Sequence, residues 1–258
     1  EIYFYDKLHQ HEEIQLSIII EGKGTLIVGD TVNYYNKGDV LVIGSNIPHV
    51  FKSDLEESSN SHMQSLFFSK NSFGTSFFEL EELQVLQPFF IRSQHGFKII
   101  SSKKIIFNLF FKLKTAPKLK VFTTLLELLQ IGSKASYKSL SSFIYKKKYT
   151  DVEGKRMQDV FEYTMKYFQK NISLKIIASV ANMTKNAFCK YFKKRTNKTY
   201  FKFLAELRIE YACKLLLKKN ELSISEIAHH SGFNNLSNFN RQFKAIKKKS
   251  PSKFIKMN

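Results

Sequence analysis

Apolar residues in the first part of the chain fall in short runs cut by glycine. Ile14-Gln15-Leu16-Ser17-Ile18-Ile19-Ile20 is rich in β-branched side chains and stops at Glu21-Gly22-Lys23-Gly24, a turn signal. Thr25-Leu26-Ile27-Val28 stops at Gly29-Asp30, another hairpin candidate. Val40-Leu41-Val42-Ile43 lies between Gly38-Asp39 and Gly44-Ser45-Asn46, and His62 to Phe68 is a further strand candidate. Strands of this length and spacing predict a sandwich or barrel over residues 1 to about 72.

From Phe77 the period changes. Phe77, Phe78, Leu80, Leu83, Leu86 and Phe89 recur at helical spacing, with Glu79, Glu81 and Glu82 on the wet side. A glycine-marked link, Gln94-His95-Gly96, follows. Lys103 to Leu113 and Leu119 to Ile131 are amphipathic and are parted at Pro117, which cannot continue a helix interior. Their apolar faces, Leu125 and Leu128 included, predict a self-association surface. Lys146 to Gly154 has no periodicity and reads as a linker, after which Met157 to Phe168 opens a second domain as a helix.

The last hundred residues hold one pattern twice. Ile177-Ala178, the turn Asn182-Met183, Phe188 and Phe192-Lys193 are matched by Ile227-Ala228, Gly232-Phe233, Phe239 and Phe243-Lys244. The tails match as well: Lys198-Thr199 with Lys202-Phe203, then Lys249-Ser250 with Lys253-Phe254. This is the pattern of two helix-turn-helix units, each packing a supporting helix across a helix that enters the DNA major groove. With Phe188 and Phe192 buried, the outward face of the first reading helix carries Lys185, Asn186, Cys189 and Lys190. With Phe239 and Phe243 buried, that of the second carries Leu236, Ser237, Asn240 and Arg241. Arg and Asn suit bidentate contacts with guanine and adenine edges. Lys193, Lys194 and Lys244, just past those faces, suit phosphates.

Charge follows the same division. The chain carries 41 Lys and Arg against 22 Asp and Glu. Residues 155–258 hold 23 basic and 6 acidic side chains, a net +17, whereas residues 1–154 hold 18 and 16, a net +2. Both parts are rich in Lys, Asn, Ile and Phe, so a lysine-rich composition alone does not explain the contrast. A basic excess confined to the paired motif is a phosphate-binding footprint.

The run Ile224-Ser225-Glu226-Ile227-Ala228 with Gly232-Phe233, Phe239, Arg241, Phe243-Lys244 and Ser250-Pro251 resembles the C-terminal signature of AraC/XylS-type transcription regulators. Arg208, Ala212 and Leu215-Leu216 in the joining helix add to it. The resemblance covers roughly Met157 to Phe254 and implies a seven-helix domain whose two reading helices enter successive major-groove segments on one DNA face. Asn182 stands where that family has a turn glycine, Asn197 and Lys248 where a glycine precedes each tail, and Tyr200 where it has proline. Asn tolerates the left-handed conformation, so the first change is mild.

In the N-terminal half, His9-x-His11, Gly22-x-Gly24, Gly38-Asp39 and Pro48-His49 resemble the cupin-type sensor domain attached to many such regulators. That resemblance raises a metal site, because cupin enzymes hold a metal with two His, a carboxylate and a later His. His9, His11 and His49 supply three imidazoles, and an open site of that kind supports dioxygenase or isomerase chemistry. The carboxylate position, however, falls near Gln15, a poor ligand for hard metals, and Glu12 and Glu13 are misplaced in strand register. The preferred reading is an effector pocket lined by His9, His11 and His49, or a vestigial one, with no metal and no cofactor assigned.

Other chemistry is absent from the sequence. There is no GxxxxGK[ST], GxSxG, CxxC or HExxH pattern. No stretch approaches 18 apolar residues and no secretory leader is visible, so a cytoplasmic protein is expected. The chain begins at Glu1, and its natural start is left open. Cys189 and Cys213 are two lone thiols, not a disulfide framework. The expected fold is α+β in two domains. A cupin-like β-barrel over residues 1–98 and a helical association segment and linker over 99–154 precede an all-α domain with two helix-turn-helix units over 155–258. The expected function is sequence-specific transcription regulation without enzyme activity. The expected partners are double-stranded DNA, a small-molecule effector, a second copy in a homodimer and RNA polymerase, with no membrane. Two alternatives stay open at this point: a metal-dependent cupin enzyme fused to a DNA-binding domain, and a non-specific nucleic-acid binder.

Overall fold

A computed structural model describes residues 4–54, 60–145, 151–217 and 222–256. Strand β1 (Ile14–Glu21) is buried on both faces over its first six residues, with Gln15 and Ser17 alternating with Ile14, Leu16 and Ile18. It pairs antiparallel with β4 (Val40–Ile43) and β6 (His62–Phe68). Two three-residue strands, β7 (Phe97–Ile99) and β8 (Tyr137–Ser139), complete a five-stranded sheet in the order β6-β1-β4-β7-β8. A second sheet has the order β3-β2-β5, formed by β2 (Gly24–Val28), β3 (Thr31–Tyr35) and β5 (His49–Ser53).

The two glycine-marked turns differ in kind. Gly29-Asp30 closes a true hairpin, with Val28 opposite Thr31 and Gly29 at φ 56°. The Glu21 to Gly24 segment does not, because β1 and β2 belong to different sheets. There the chain crosses over, and Gly24 is required because a Cβ would lie 2.1 Å from the Lys52 carbonyl oxygen.

Alternate residues of the large sheet feed two cores. Leu16, Ile18, Val40, Val42, Phe97 and Ile99 join helices α1 (Gln87–Ser93), α2 (Lys103–Leu113) and α3 (Lys118–Lys134). Ile19, Leu41 and Ile43 turn the other way, towards Leu26, Val28, Tyr35 and Phe51 of the small sheet. Two buried carboxylates tie the elements down. Asp39 meets Lys98 at 2.6 Å and Lys103 at 3.0 Å, and Asp30 accepts from Ser141 Oγ at 2.7 Å and Ser142 N at 2.9 Å.

Three expectations change here. Residues 77–86 form two 3₁₀ stretches interrupted at Leu80, which is extended, and regular helix begins only at Gln87. The segment read as a separate association module is part of the first unit, which spans Glu1–Lys148. Ile106, Leu109, Phe110, Leu125, Leu128 and Leu129 on α2 and α3 fill its core, and the exposed apolar residues there are Ile105, Phe111 and Leu119. Of the stretch read as a linker, residues 146–150 lie outside the described residues, whereas 151–154 are already helical.

The second unit, Tyr149–Asn258, is helical. Helix α4 (Asp151–Tyr167) leads into α5 (Leu174–Val180), whose N-terminus is capped by Ser173, and α6 (Lys185–Thr196), capped by Thr184. The long α7 (Tyr200–Leu217) joins this pair to α8 (Ile224–His230), α9 (Leu236–Lys247) and α10 (Pro251–Lys256). Ser223 and Glu226 form a reciprocal capping box at α8, and Asn235 caps α9. Helices α6 and α9 both end on a left-handed residue, Asn197 at φ 55° and Lys248 at φ 60°.

Two outcomes follow from this packing. Leu125→Glu with Leu128→Glu places charge in the N-terminal core and should remove that unit's cooperative unfolding transition in calorimetry. Leu119→Glu, at a position 73% exposed, should shift stability by less than about 0.5 kcal/mol. Lys248→Gly relieves a left-handed lysine and should stabilise a 149–258 fragment by about 0.5–1 kcal/mol, read from its urea midpoint. An unchanged midpoint would show that this C-cap is not strained.

Candidate nucleic-acid interface and histidine cluster

Each helix-turn-helix unit is built around one backbone bond and one aromatic pair. Met183 N donates to the Ala178 carbonyl at 2.9 Å in the first unit, and Phe233 N donates to the Ala228 carbonyl at 3.0 Å in the second. The turn is left-handed at Asn182 (φ 51°) in one and at Gly232 (φ 87°) in the other. Glycine is needed at 232 because a Cβ would come within 2.9 Å of Arg208 Nε and 2.8 Å of the Phe168 carbonyl oxygen. Arg208 occupies that space to hold α7 against the end of α4. It donates to the carbonyls of Phe168 at 2.7 Å and Lys170 at 2.8 Å.

Phe188 and Phe192 are 0% exposed with ring centroids 5.7 Å apart, and Phe239 and Phe243 are 0% exposed at 5.6 Å. The same burial in both helices turns the same positions outward. Lys185, Asn186, Cys189, Lys190, Lys193 and Lys194 on α6 are all exposed, as are Leu236, Ser237, Asn240, Arg241 and Lys244 on α9. Among the described residues, Lys185, Lys190, Lys193, Lys194 and Lys244 make no ion pair. Basic side chains facing inward do: Lys198 meets Glu206 at 2.7 Å, Lys247 meets Glu210, and Arg195 meets Glu153. Sequence reading missed Asn238, whose Oδ1 accepts from Arg241 Nη2 at 2.9 Å and restrains that guanidinium before any partner arrives. The i, i+3 spacing on one helix was the available signal.

In the first unit, His9, His11 and His49 converge although 40 positions separate the outer two. A bridge aligns them: His9 N donates to the His49 carbonyl at 3.1 Å, and His49 N donates to the His9 carbonyl at 2.9 Å. His49 is 1% exposed, whereas His9 and His11 are partly open. Burial, followed by the neighbouring His9, holds His49 well below the usual imidazole range, and burial also lowers His9. Both shifts favour the neutral imidazole at His9 and His49. Each Nδ1 lies against a backbone carbonyl: that of Lys7 for His9 (2.9 Å), of Glu13 for His11 (2.8 Å) and of Ile47 for His49 (2.9 Å). Gln15 points the same way, with Oε1 3.4 Å from His11 Nε2 and Nε2 donating to Ser17 Oγ at 3.0 Å. Nitrogen donors of this type fit a transition metal, with the amide of Gln15 standing where a carboxylate ligand was expected.

Residues 177–257 match the helix-turn-helix domain family and residues 5–59 match the cupin domain family. The chain is 24% identical over 260 residues to an uncharacterised helix-turn-helix transcriptional regulator, YdeC of Bacillus subtilis, covering 98% of this chain and 87% of that one. It is also 24% identical to the Msm operon regulatory protein of Streptococcus mutans, covering 93% and 83%. Among solved structures, it is similar to the C-terminal domain of AraT, a response regulator from Geobacillus stearothermophilus (24% identity, TM-score 0.38, covering 42% of this chain and 87% of that one). It is also similar to apo ToxT from Vibrio cholerae (14% identity, TM-score 0.40, covering 99% and 92%). No helix among the described residues is long and apolar enough to cross a membrane. The chain thus carries a cupin domain followed by an AraC-type helix-turn-helix domain, and it is a transcription regulator of that type.

Proposed function

We propose that α6 and α9 enter successive major-groove segments of double-stranded DNA and that the two helices divide the work. On α9, Arg241, restrained by Asn238, reads guanine, Asn240 and Ser237 read neighbouring base edges, and Leu236 meets a thymine methyl group. On α6, Asn186 is the base reader, Cys189 allows close approach to the groove, and Lys185 and Lys190 flank them. Lys193, Lys194 and Lys244 bind phosphates and set register. The observation that carries this reading is the repeated burial of a phenylalanine pair, which turns Lys185, Asn186 and Lys190 outward on α6 and Asn240, Arg241 and Lys244 outward on α9.

The N-terminal unit then acts as sensor rather than catalyst. An effector at the histidine cluster biases the regulator between arrangements of unequal DNA affinity. The working form is a cytoplasmic homodimer that touches RNA polymerase at the promoter. Ile105, Phe111 and Leu119 are the exposed apolar residues of α2 and α3 available for pairing, in place of the buried Leu125 and Leu128.

Arg241→Ala and Asn186→Ala should each relax preference at one base position and weaken the specific site by about 1–3 kcal/mol. Lys193→Ala should weaken specific and random DNA alike. Competition between a selected site and random duplex at fixed salt reads both effects, and an equal loss on both DNAs for Arg241→Ala would remove its base-reading role. A fragment of residues 149–258, which keeps the Glu153–Arg195 pair, should bind DNA by itself. Its affinity should fall roughly as the sixth power of salt concentration if about seven phosphates are neutralised. A flat salt response from the folded fragment would contradict the electrostatic reading.

A further inference from the structure

The near-neutral total of the first 154 residues is made of two opposed parts. Residues 1–98 hold 7 basic and 13 acidic side chains, a net −6, whereas residues 99–154 hold 11 and 3, a net +8. From Leu83 to Leu126 there is no Asp or Glu, against eight Lys and Arg. Packing accounts for three of these cations. Arg92 donates to the carbonyls of Gly132 and Ala135, and Lys98 and Lys103 hold Asp39. Lys104 lies exposed on α2. The other four, Lys112, Lys114, Lys118 and Lys120, crowd the corner where α2 ends at Leu113 and α3 begins at Lys118. All four are exposed, and none makes an ion pair among the described residues.

The helices that carry these lysines do not explain them. Lys112 and Lys114 suit the negative end of α2, but Lys118 and Lys120 lie in the first turn of α3, where cations oppose the helix dipole. That turn has no acidic residue, and Pro117 before it gives no side-chain cap. Four ammonium groups on so short a stretch also repel one another. A segment that departs from local rules in this way suits a place where an outside partner compensates. Here the partner must be anionic and repeated, and lysine meets phosphate as a point charge. Four such contacts hold a free polyanion weakly at physiological salt. Tethering changes that. Once α6 and α9 hold a duplex, its flanking phosphates reach the N-terminal unit at an effective concentration on the order of millimolar, an advantage that an untethered anionic surface lacks.

We propose that Lys112, Lys114, Lys118 and Lys120 bind backbone phosphates of duplex DNA beyond the segment taken by α6 and α9. The N-terminal unit thus adds a sequence-independent contact with the flank of the operator. This rests on the DNA-binding reading given above.

The test uses the full chain and one selected site set in duplexes of about 20 base pairs, which the two reading helices fill, and about 60 base pairs. The corner variant replaces all four lysines by Gln. A control of equal charge replaces Lys7, Lys37, Lys134 and Lys138, exposed elsewhere on the same unit, by Gln. On the long duplex at about 50 mM salt, the corner variant should bind about tenfold or more weaker than wild type, and its affinity should fall with salt by about three to four powers less. On the short duplex the two should agree within about twofold, and the control should follow wild type on both. Replacing the four lysines by Arg should retain the long-duplex affinity. Should the corner variant melt early, Lys118→Gln with Lys120→Gln tests the same contact at about half the change in slope. Relief at the start of α3 should keep the Tm of that pair at or above that of wild type.

Unchanged affinity on the long duplex would overturn the site. Equal losses on both duplexes, or the same loss from the control, would reduce the effect to net charge and overturn it too. A corner variant whose only defect is a lower mass in sedimentation, or lost binding to phosphatidylglycerol vesicles, would assign the corner to a second copy or to a membrane instead. If wild type selects no duplex, the DNA-binding reading fails and this proposal with it. If wild type selects one and the flanks add nothing over the corner variant, this proposal alone fails.

Discussion

Burial of two phenylalanines one turn apart orients each helix of the proposed interface, and most of the functional reading depends on it. Each buried ring contributes about 1.5–3 kcal/mol. Rolling α6 or α9 by one position, about 100° around its axis, would expose both rings and, in one direction, drive Lys193 or Lys244 towards the core. That exchange is prohibitive for a charged group without a partner. The outward faces are therefore consequences of core packing. The caps reinforce this. Thr184 and Asn235 fix where each helix begins, so they also fix the depth to which its first turn can project.

That dependence explains what was legible in the sequence. The positions Lys185 to Lys194 and Leu236 to Lys244 could be placed on outward faces because helix period is local information, and α2 and β4 were legible with their ends for the same reason. Strands β7 and β8 were not. Each has three residues, and each exists only because β4 offers an edge to β7, and β7 to β8. Strand β3, with Asn33 and two tyrosines, has no simple alternation, and its place is set by pairing with β2. The apolar faces of α2 and α3 were visible, but amphipathicity says only that a face is covered. It does not distinguish a second copy of the chain from the chain's own sheet. Leu125 and Leu128 belong to the sheet's core.

The histidine cluster shows the same limit from another side. The residue types were evident, and Gln15 lies beside them, its Oε1 3.4 Å from His11 Nε2. The convergence of the three rings was not evident, because it depends on the His9–His49 bridge between segments far apart in sequence. The neighbouring strand face carries this polarity inward. Gln15, Ser17 and Ser65 bond to one another, with Ser17 Oγ 2.7 Å from Ser65 Oγ, on the side of β1 that turns away from the α1–α3 core. A strand buried on both faces thus has one face serving packing and the other partly serving a polar cluster.

Energetics limit what any effector at that cluster can achieve. Its leverage equals the difference in its affinity for the two arrangements of the regulator; a hundredfold difference supplies about 2.7 kcal/mol. One mismatched base pair in an operator removes about 1–3 kcal/mol. The two quantities are of the same size, while the electrostatic term from the +17 segment applies to every DNA sequence equally. A strong operator would therefore be held with or without effector, and a very weak one in neither state. Regulation by such an effector would be confined to operators within one or two base-pair substitutions of the threshold, so operator sequence, as much as the N-terminal unit, would decide which promoters respond.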